Sequence, residues 1–178
     1  DAPTVAGPAN FSGQEDPTSP ISLAGFVVDD IDDQFAEAPI DLRVSLSVDN
    51  GSLSLANTSG LTFSGGANGG GSFSVTGTIA ALNTALAGLS YDPDEHFNGI
   101  DTFQIDVDDL GNVGGGSLTD DASAMIAIAA VNDAPVVNVP DPAPLAVKNL
   151  DVVFDGGGFN VSDVDDDDLT VTLSLDNA

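Results

Sequence analysis

Carboxylates set the chemistry open to this sequence. It carries 29 acidic residues against two basic ones, Arg43 and Lys148, and every acid except Glu15, Glu37 and Glu95 is an Asp. They come in groups: Asp29, Asp30, Asp32 and Asp33; Asp92, Asp94 and Glu95; Asp106, Asp108 and Asp109; then Asp133, Asp163 and the run Asp165-Asp166-Asp167-Asp168. Carboxylates held close together repel unless a proton or a cation bridges them. The preference for Asp over Glu fits Ca2+, a hard ion that collects oxygens from short carboxylates, backbone carbonyls and water.

Other chemistries lack their parts. His96 is the only histidine and there is no cysteine, so neither a zinc site nor a Gly-x-Ser-x-Gly elbow with its histidine is on offer. Paired carboxylates can hydrolyse glycosidic bonds, but Trp is absent and Tyr91 is the sole Tyr, which leaves no aromatic sugar platform. The expectation is a protein that is not an enzyme. The acidic runs also miss the Gly and the closing Glu of an EF-hand loop, and no Gly-Gly-x-Gly-x-Asp nonapeptide occurs.

A formal net charge of −27 excludes nucleic acid, whose affinity comes from Lys and Arg neutralising phosphates. Anionic membrane surfaces are disfavoured for the same reason, and no apolar run is long enough for membrane insertion. An acidic, Gly-rich chain invites a disordered reading, yet 42% of the residues are hydrophobic and they fall in patterned strands.

Those strands must position the acids. Ile40, Leu42, Val44, Leu46 and Val48 alternate with polar residues, the mark of a strand with one buried face. Asp49-Asn50-Gly51 reads as a tight hairpin turn using φ > 0 residues, after which Leu53 and Leu55 alternate again. Residues 21–28 read as one apolar strand that the acids at 29–33 end. Phe103, Ile105 and Val107 share a strand face, and a last strand over residues 122–131 alternates Ala124, Ile126, Ile128 and Ala130. The glycine-rich residues 65–71 form a loop between adjacent strands. Residues 78–88 are the one helical stretch: Thr78 caps it, Ile79, Leu82 and Leu86 share a face, and Gly88 supplies a left-handed stop.

An internal repeat organises all of this. Val131-Asn132-Asp133-Ala134-Pro135-Val136 restates the opening Asp1-Ala2-Pro3-Thr4-Val5, and Asp30-Ile31-Asp32 returns as Asp163-Val164-Asp165. Leu42-Arg43-Val44-Ser45-Leu46 returns as Leu169-Thr170-Val171-Thr172-Leu173, with six residues fewer before it, so the first copy carries a loop insertion near residues 34–39. The reading is one complete repeat, residues 1–132, and the first part of a second, residues 133–178. The second part orders fully when more of the same chain or a neighbouring molecule completes its sheets. About eight short strands with regular turns give an all-β fold, a β-sandwich with Greek-key connections and one short crossover helix.

The junction, the Asp-Val-Asp pair, and the phrase Leu89-Ser90-Tyr91-Asp92-Pro93-Asp94, followed by Phe97-Asn98-Gly99-Ile100-Asp101-Thr102-Phe103, resemble the cadherin-like tandem repeats of giant bacterial surface proteins and RTX-type adhesins. The likeness covers the first repeat and what is present of the second. It implies a cadherin/immunoglobulin-like sandwich whose junction Ca2+ ions are held by Glu15, Asp94 or Glu95, Asn132, Asp133, Asp163 and Asp165. At the free start Asp1, Asp30, Asp32 and Asp108 are the implied counterparts. Lys148-Asn149 stands near where the first repeat has Glu15-Asp16, a departure that argues against a matching site at the far end of the second repeat.

The function implied is a structural one. Calcium-rigidified extender repeats build a long secreted or cell-surface adhesin or fibre, located outside the bacterial cell, with neighbouring repeats of the same or an identical chain as partners. The alternative is an adhesive module that binds itself head to tail through the half domain, or that binds a polysaccharide.

Overall fold

In the first unit alternating apolar residues form strands, and the larger strands gather into two sheets. A computed structural model describes residues 1–112, 115–139, 159–165 and 168–174 and divides the chain into two units, Asp1–Val131 and Asn132–Ala178. In the first unit the strands are β1 (Thr4–Ala6), β2 (Asn10–Gln14), β3 (Ile21–Ser22), β4 (Val27–Asp29), β5 (Asp41–Ser47), β6 (Gly51–Leu55), β7 (Thr62–Gly66), β8 (Ser72–Thr78), β9 (Leu89–Pro93), β10 (Gly99–Asp108) and β11 (Thr119–Ala129). A six-stranded sheet runs β2-β11-β10-β5-β8-β7, a three-stranded sheet runs β3-β9-β6, and β1 pairs with β4. The fold is an all-β sandwich with one α-helix.

Period-two patterning sets the register of burial. From the large sheet Leu42, Val44, Leu46, Phe73, Val75, Phe103, Ile105, Val107, Ile126 and Ile128 point inward. Leu53, Leu55, Leu89 and Tyr91 meet them from the small sheet, with Leu23, Phe26 and Val28 beside them. Each such side chain removed from water contributes roughly 1.5–3 kcal/mol. Phe26 and Phe103 stack in a tilted pair with ring centroids 4.9 Å apart.

The helix α1 (Ile79–Leu86) begins where expected: Thr78 Oγ1 accepts the Ala81 N–H at 3.3 Å, and Leu82, Ala85 and Leu86 are buried. Asn83 fixes α1 to β4, because its amide both accepts the Val28 N–H and donates to the Val28 carbonyl, each at 2.9 Å.

Three local expectations are corrected. Asp49-Asn50-Gly51 is no hairpin: β5 pairs with β10 and β8 while β6 pairs with β9, so the turn carries the chain from one sheet to the other. Neither Asn50 nor Gly51 has positive φ. Gly51 is needed for space, since a Cβ there would lie 2.4 Å from the Asp92 carbonyl oxygen and 2.6 Å from the Tyr91 ring. Residues 21–28 make two strands, β3 and β4, because Gly25 at φ +120 breaks the extended run. Gly88 is not left-handed either; a Cβ on it would meet Ala56 Cβ at 2.9 Å, so close packing selects glycine there.

In the second unit β12 (Val136–Asn138) pairs antiparallel with β13 (Asn160–Ser162). The strand expected over residues 169–173 does not form: 168–174 carry no regular structure and Leu173 is 83% exposed. Its counterpart β5 takes its ladders from β8 and β10, later in the chain, and the described residues of the second unit offer no such partners. Lys148, Asn149, Asp166 and Asp167 lie outside the described residues.

Candidate metal centre

The acids near the start of the first unit are organised by backbone. Strand β4 ends at Asp29, and a 3₁₀ turn, Ile31–Gln34, follows at once. Asp30 caps that turn, its Oδ1 accepting the Asp32 N–H at 2.9 Å, and Asp29 Oδ1 accepts the Asp30 N–H at 2.9 Å. Asp33 Oδ1 accepts the Ile40 N–H at 2.9 Å and so closes the loop that holds the inserted residues 34–39. The Asp1 nitrogen donates to Asp32 Oδ2 at 2.6 Å.

Asp30 is the informative member. It is 2% exposed, and its Oδ2 is buried with no hydrogen-bond partner among the described residues. A buried carboxylate oxygen without a partner carries a desolvation cost. Asp109 is also buried, 5% exposed, and its Oδ1 accepts the Gly111 and Leu118 N–H groups, both at 2.8 Å.

Asp108 stands elsewhere. Alternation along β10 turns it to the outer face, where Arg43 and the Ser117 hydroxyl both bond its carboxylate and the Leu110 N–H donates to Oδ1 at 2.7 Å. Burial would raise its pKa, but these hydrogen bonds and the Arg43 charge outweigh that and hold it low. The inward residue of the pair is Asp109. Strand parity carries that signal, because 103, 105 and 107 point inward and 109 is next in step.

The second unit repeats the arrangement. Strands β12 and β13 align Val136 with Ser162 as β1 and β4 align Thr4 with Asp29. The Asp133 N–H donates to Asp165 Oδ2, and the Asp165 N–H donates to Asp163 Oδ1 at 3.0 Å. These are the two bonds that Asp1, Asp32 and Asp30 make. Asn132 turns its amide onto the Asp133 carbonyl at 2.6 Å.

At the other end of the first unit Glu15 follows β2 and is 2% exposed. Its Oε1 accepts the Val131 N–H at 2.7 Å and its Oε2 accepts the Asn98 amide at 3.1 Å. Asp16, at φ 47, accepts the His96 N–H at 3.1 Å and lies 3.1 Å from His96 Nδ1; His96 itself sits at φ 60. Glu95 Oε1 is 3.7 Å from His96 Nε2. The Asp94 N–H donates to the Asn50 carbonyl at 3.0 Å, and the Asp94 carbonyl accepts the Phe97 N–H at 2.9 Å. The side chains of Asp92, Asp94 and Glu95 are exposed. A carboxylate oxygen with one donor keeps a second lone pair, so Glu15 retains capacity for a further partner.

The sequence pattern groups Asp109 with Asp108 but does not separate their roles, and it does not reveal the Asp16–His96 pair or the buried Asp101. The last accepts four hydrogen bonds: from Asp49 N–H (3.1 Å), Asn50 N–H (2.9 Å), Tyr91 hydroxyl (2.9 Å) and Thr102 N–H (2.7 Å). No local pattern announces it, because its donors come from three different segments.

The acids around Asp30 offer only oxygen donors, the kind a hard divalent cation takes, and among the described residues no protein group donates to Asp30 Oδ2. Comparison with known protein families, with curated proteins and with solved structures found no match. Among the described residues no helix is long and apolar enough to cross a membrane.

Proposed function

We propose that this protein is a calcium-stabilised structural repeat of a long secreted or cell-surface adhesin or fibre, akin to the cadherin-like repeats it resembles. One observation carries the reading: the same hydrogen-bonded acid triad recurs at the start of both units, as Asp1, Asp30 and Asp32 and again as Asp133, Asp163 and Asp165. The buried, unpartnered Asp30 Oδ2 supports it. In the first unit Asp30 and Asp32 are the acids offered to the ion, with the buried Asp109 in the place that the resemblance gives to Asp108. Glu15, Asp94 and Glu95 are the acids offered at the other end. Bound Ca2+ screens repulsion between these groups and stiffens an array of repeats, and the chain performs no catalysis. Calcium titration of the whole chain, read by melting temperature and calorimetry, tests it. A chelator that changes neither property refutes the proposal.

A second reading is favoured by one feature of the large sheet. Ser45, Ser47, Ser72, Ser74 and Asp106, with the backbone of Gly65 and Gly66, line an open groove of about 340 Å³. Hydroxyls that both donate and accept, beside one carboxylate, suit a neutral polysaccharide. Retention of the protein on neutral glycan resins, abolished by Asp106→Ala, is the outcome this reading requires.

A further inference from the structure

Charge is spread unevenly along this chain. From Asn50 to Tyr91 the sequence holds no Asp, Glu, Lys, Arg or His, although the whole chain carries a formal net charge of −27. That uncharged stretch forms β6, β7, β8 and α1, and β7 is a terminal strand of the six-stranded sheet. A terminal strand presents unpaired N–H and C=O groups, and proteins blunt such edges with charge, brevity or a covering loop. The other edges of the two larger sheets are treated in these ways. The loop of residues 67–70 covers β6: the Leu53 N–H donates to the Gly70 carbonyl at 3.0 Å, the Gly69 N–H donates to the Leu53 carbonyl at 2.9 Å, and the Asn68 side chain pairs with both backbone groups of Leu55. Strand β3 is two residues long, and β2 runs directly into Glu15 and Asp16. Strand β7 has neither cover nor charge among the described residues. Its Thr62 and Ser64 are exposed, while Phe63 is anchored against Phe73 with ring centroids 5.7 Å apart.

We propose that the β7 edge is a lateral self-association site, at which β7 of one chain pairs antiparallel with β7 of a second copy and joins two six-stranded sheets edge to edge. Charge selects the occupant. Two chains as acidic as this repel wherever their carboxylates meet, and the β7 edge lets them touch backbone to backbone through segments that carry no acid. A cationic partner would find its attraction elsewhere on the molecule. An identical strand fits because a two-fold contact sets one patch against itself. The bulge between Phe63 and Gly65 interrupts the ladder, so a single contact is short and weak. Repeated along the fibre proposed above, such contacts act together and bind fibres side by side. The pairing uses no metal ion, so it stands or falls separately from the calcium reading.

Sedimentation velocity of the whole chain over a concentration series tests this, in high salt so that the remaining acids are screened. A concentration-dependent dimer is expected. Thr62→Glu sets a carboxylate on the paired edge of both copies and should weaken the dimer at least about tenfold, because like charges brought together at an interface are costly. Gln104→Glu adds the same charge on the exposed face of β10 and should leave the dimer unchanged. Circular dichroism identifies the folded fraction of each. The chain has no cysteine, so Ser64→Cys supplies a single thiol, and copper-phenanthroline oxidation should link it into a covalent dimer faster than it links Ser123→Cys on β11. That second measurement decides if Thr62→Glu does not fold. A wild-type chain that stays monomeric overturns the inference, whether or not neutral glycans retain it. A dimer that Thr62→Glu leaves intact, as a head-to-tail contact would, also overturns it. So does equal weakening by Gln104→Glu, or equal cross-linking at the two thiols.

Discussion

Glu15 Oε1 accepts the Val131 N–H at 2.7 Å, so the side chain that ends β2 holds the backbone that leaves β11. Its other oxygen holds Asn98, and the carboxylate therefore joins an exit strand to an acidic loop. Hydrogen bonds to a charged, buried group are among the stronger ones. Glu15→Ala is expected to cost about 2–3 kcal/mol in urea unfolding without metal. A loss below about 0.5 kcal/mol, the scale of an unremarkable surface substitution, would show that Glu15 serves only as a ligand.

Asp108 and Asp109 are adjacent in sequence and opposite in role. Asp109→Asn is expected to weaken calcium binding at the Asp30 group, measured by calorimetry. Asp108→Asn loosens Arg43, whose side chain is 43% exposed, and should cost no more than about 1 kcal/mol while leaving calcium affinity intact. Equal effects of the two substitutions on affinity would count against the assignment.

Asp101 makes stability depend on acid. Burial would raise its pKa, but the bonds from Asn50 N–H, the Tyr91 hydroxyl, Asp49 N–H and Thr102 N–H outweigh it, so the carboxyl titrates below its ordinary 3.8. Its contribution is therefore complete above about pH 4 and is lost as the pH falls through the lowered folded value. Melting temperature should drop in that window, and Asp101→Asn should flatten part of the drop. The Tyr91 hydroxyl moves the other way: burial first, and then the Asp101 hydrogen bond and charge, push its pKa up. It stays protonated through the alkaline range in which an exposed tyrosine ionises, which an ultraviolet titration reads directly.

Gly51 tests the path of the chain between the sheets. Gly51→Ala places a methyl group against the Asp92 carbonyl and the Tyr91 ring. Overpacking of this kind costs about 1–3 kcal/mol. A neutral result in thermal unfolding would mean that the turn is not pressed against β9 as described.

Much of this was legible in residue patterns. The period of two in β5 and β10, the Thr78 cap and the two copies of the Asp-x-Asp segment are local signals, and local physics decides them. Partner choice is not local. Asp49-Asn50-Gly51 looks like a hairpin because its residues suit one, but the carboxylate of Asp101, 52 and 51 positions away, captures the Asp49 and Asn50 N–H groups, and the next strand joins the other sheet. Residues 169–173 copy the pattern of β5 yet form no strand, since a strand needs neighbours as well as alternation. Asp109 was hidden by its neighbour: two acids in a row read alike until strand parity assigns one to each face.

Asp30→Asn gives the most direct test of the central claim. The amide oxygen can still cap the 3₁₀ turn, so the fold is kept while the charge of the buried carboxylate is removed. Calorimetric calcium titration of the whole wild-type chain should reveal binding, with a melting temperature that rises with calcium by the equivalent of about 1–3 kcal/mol per site. In Asp30→Asn the calcium-free melting temperature should equal or exceed that of wild type, and binding at this site should be lost. A wild-type chain that takes up no calcium, or an Asp30→Asn chain that binds it as tightly as wild type, would contradict the account.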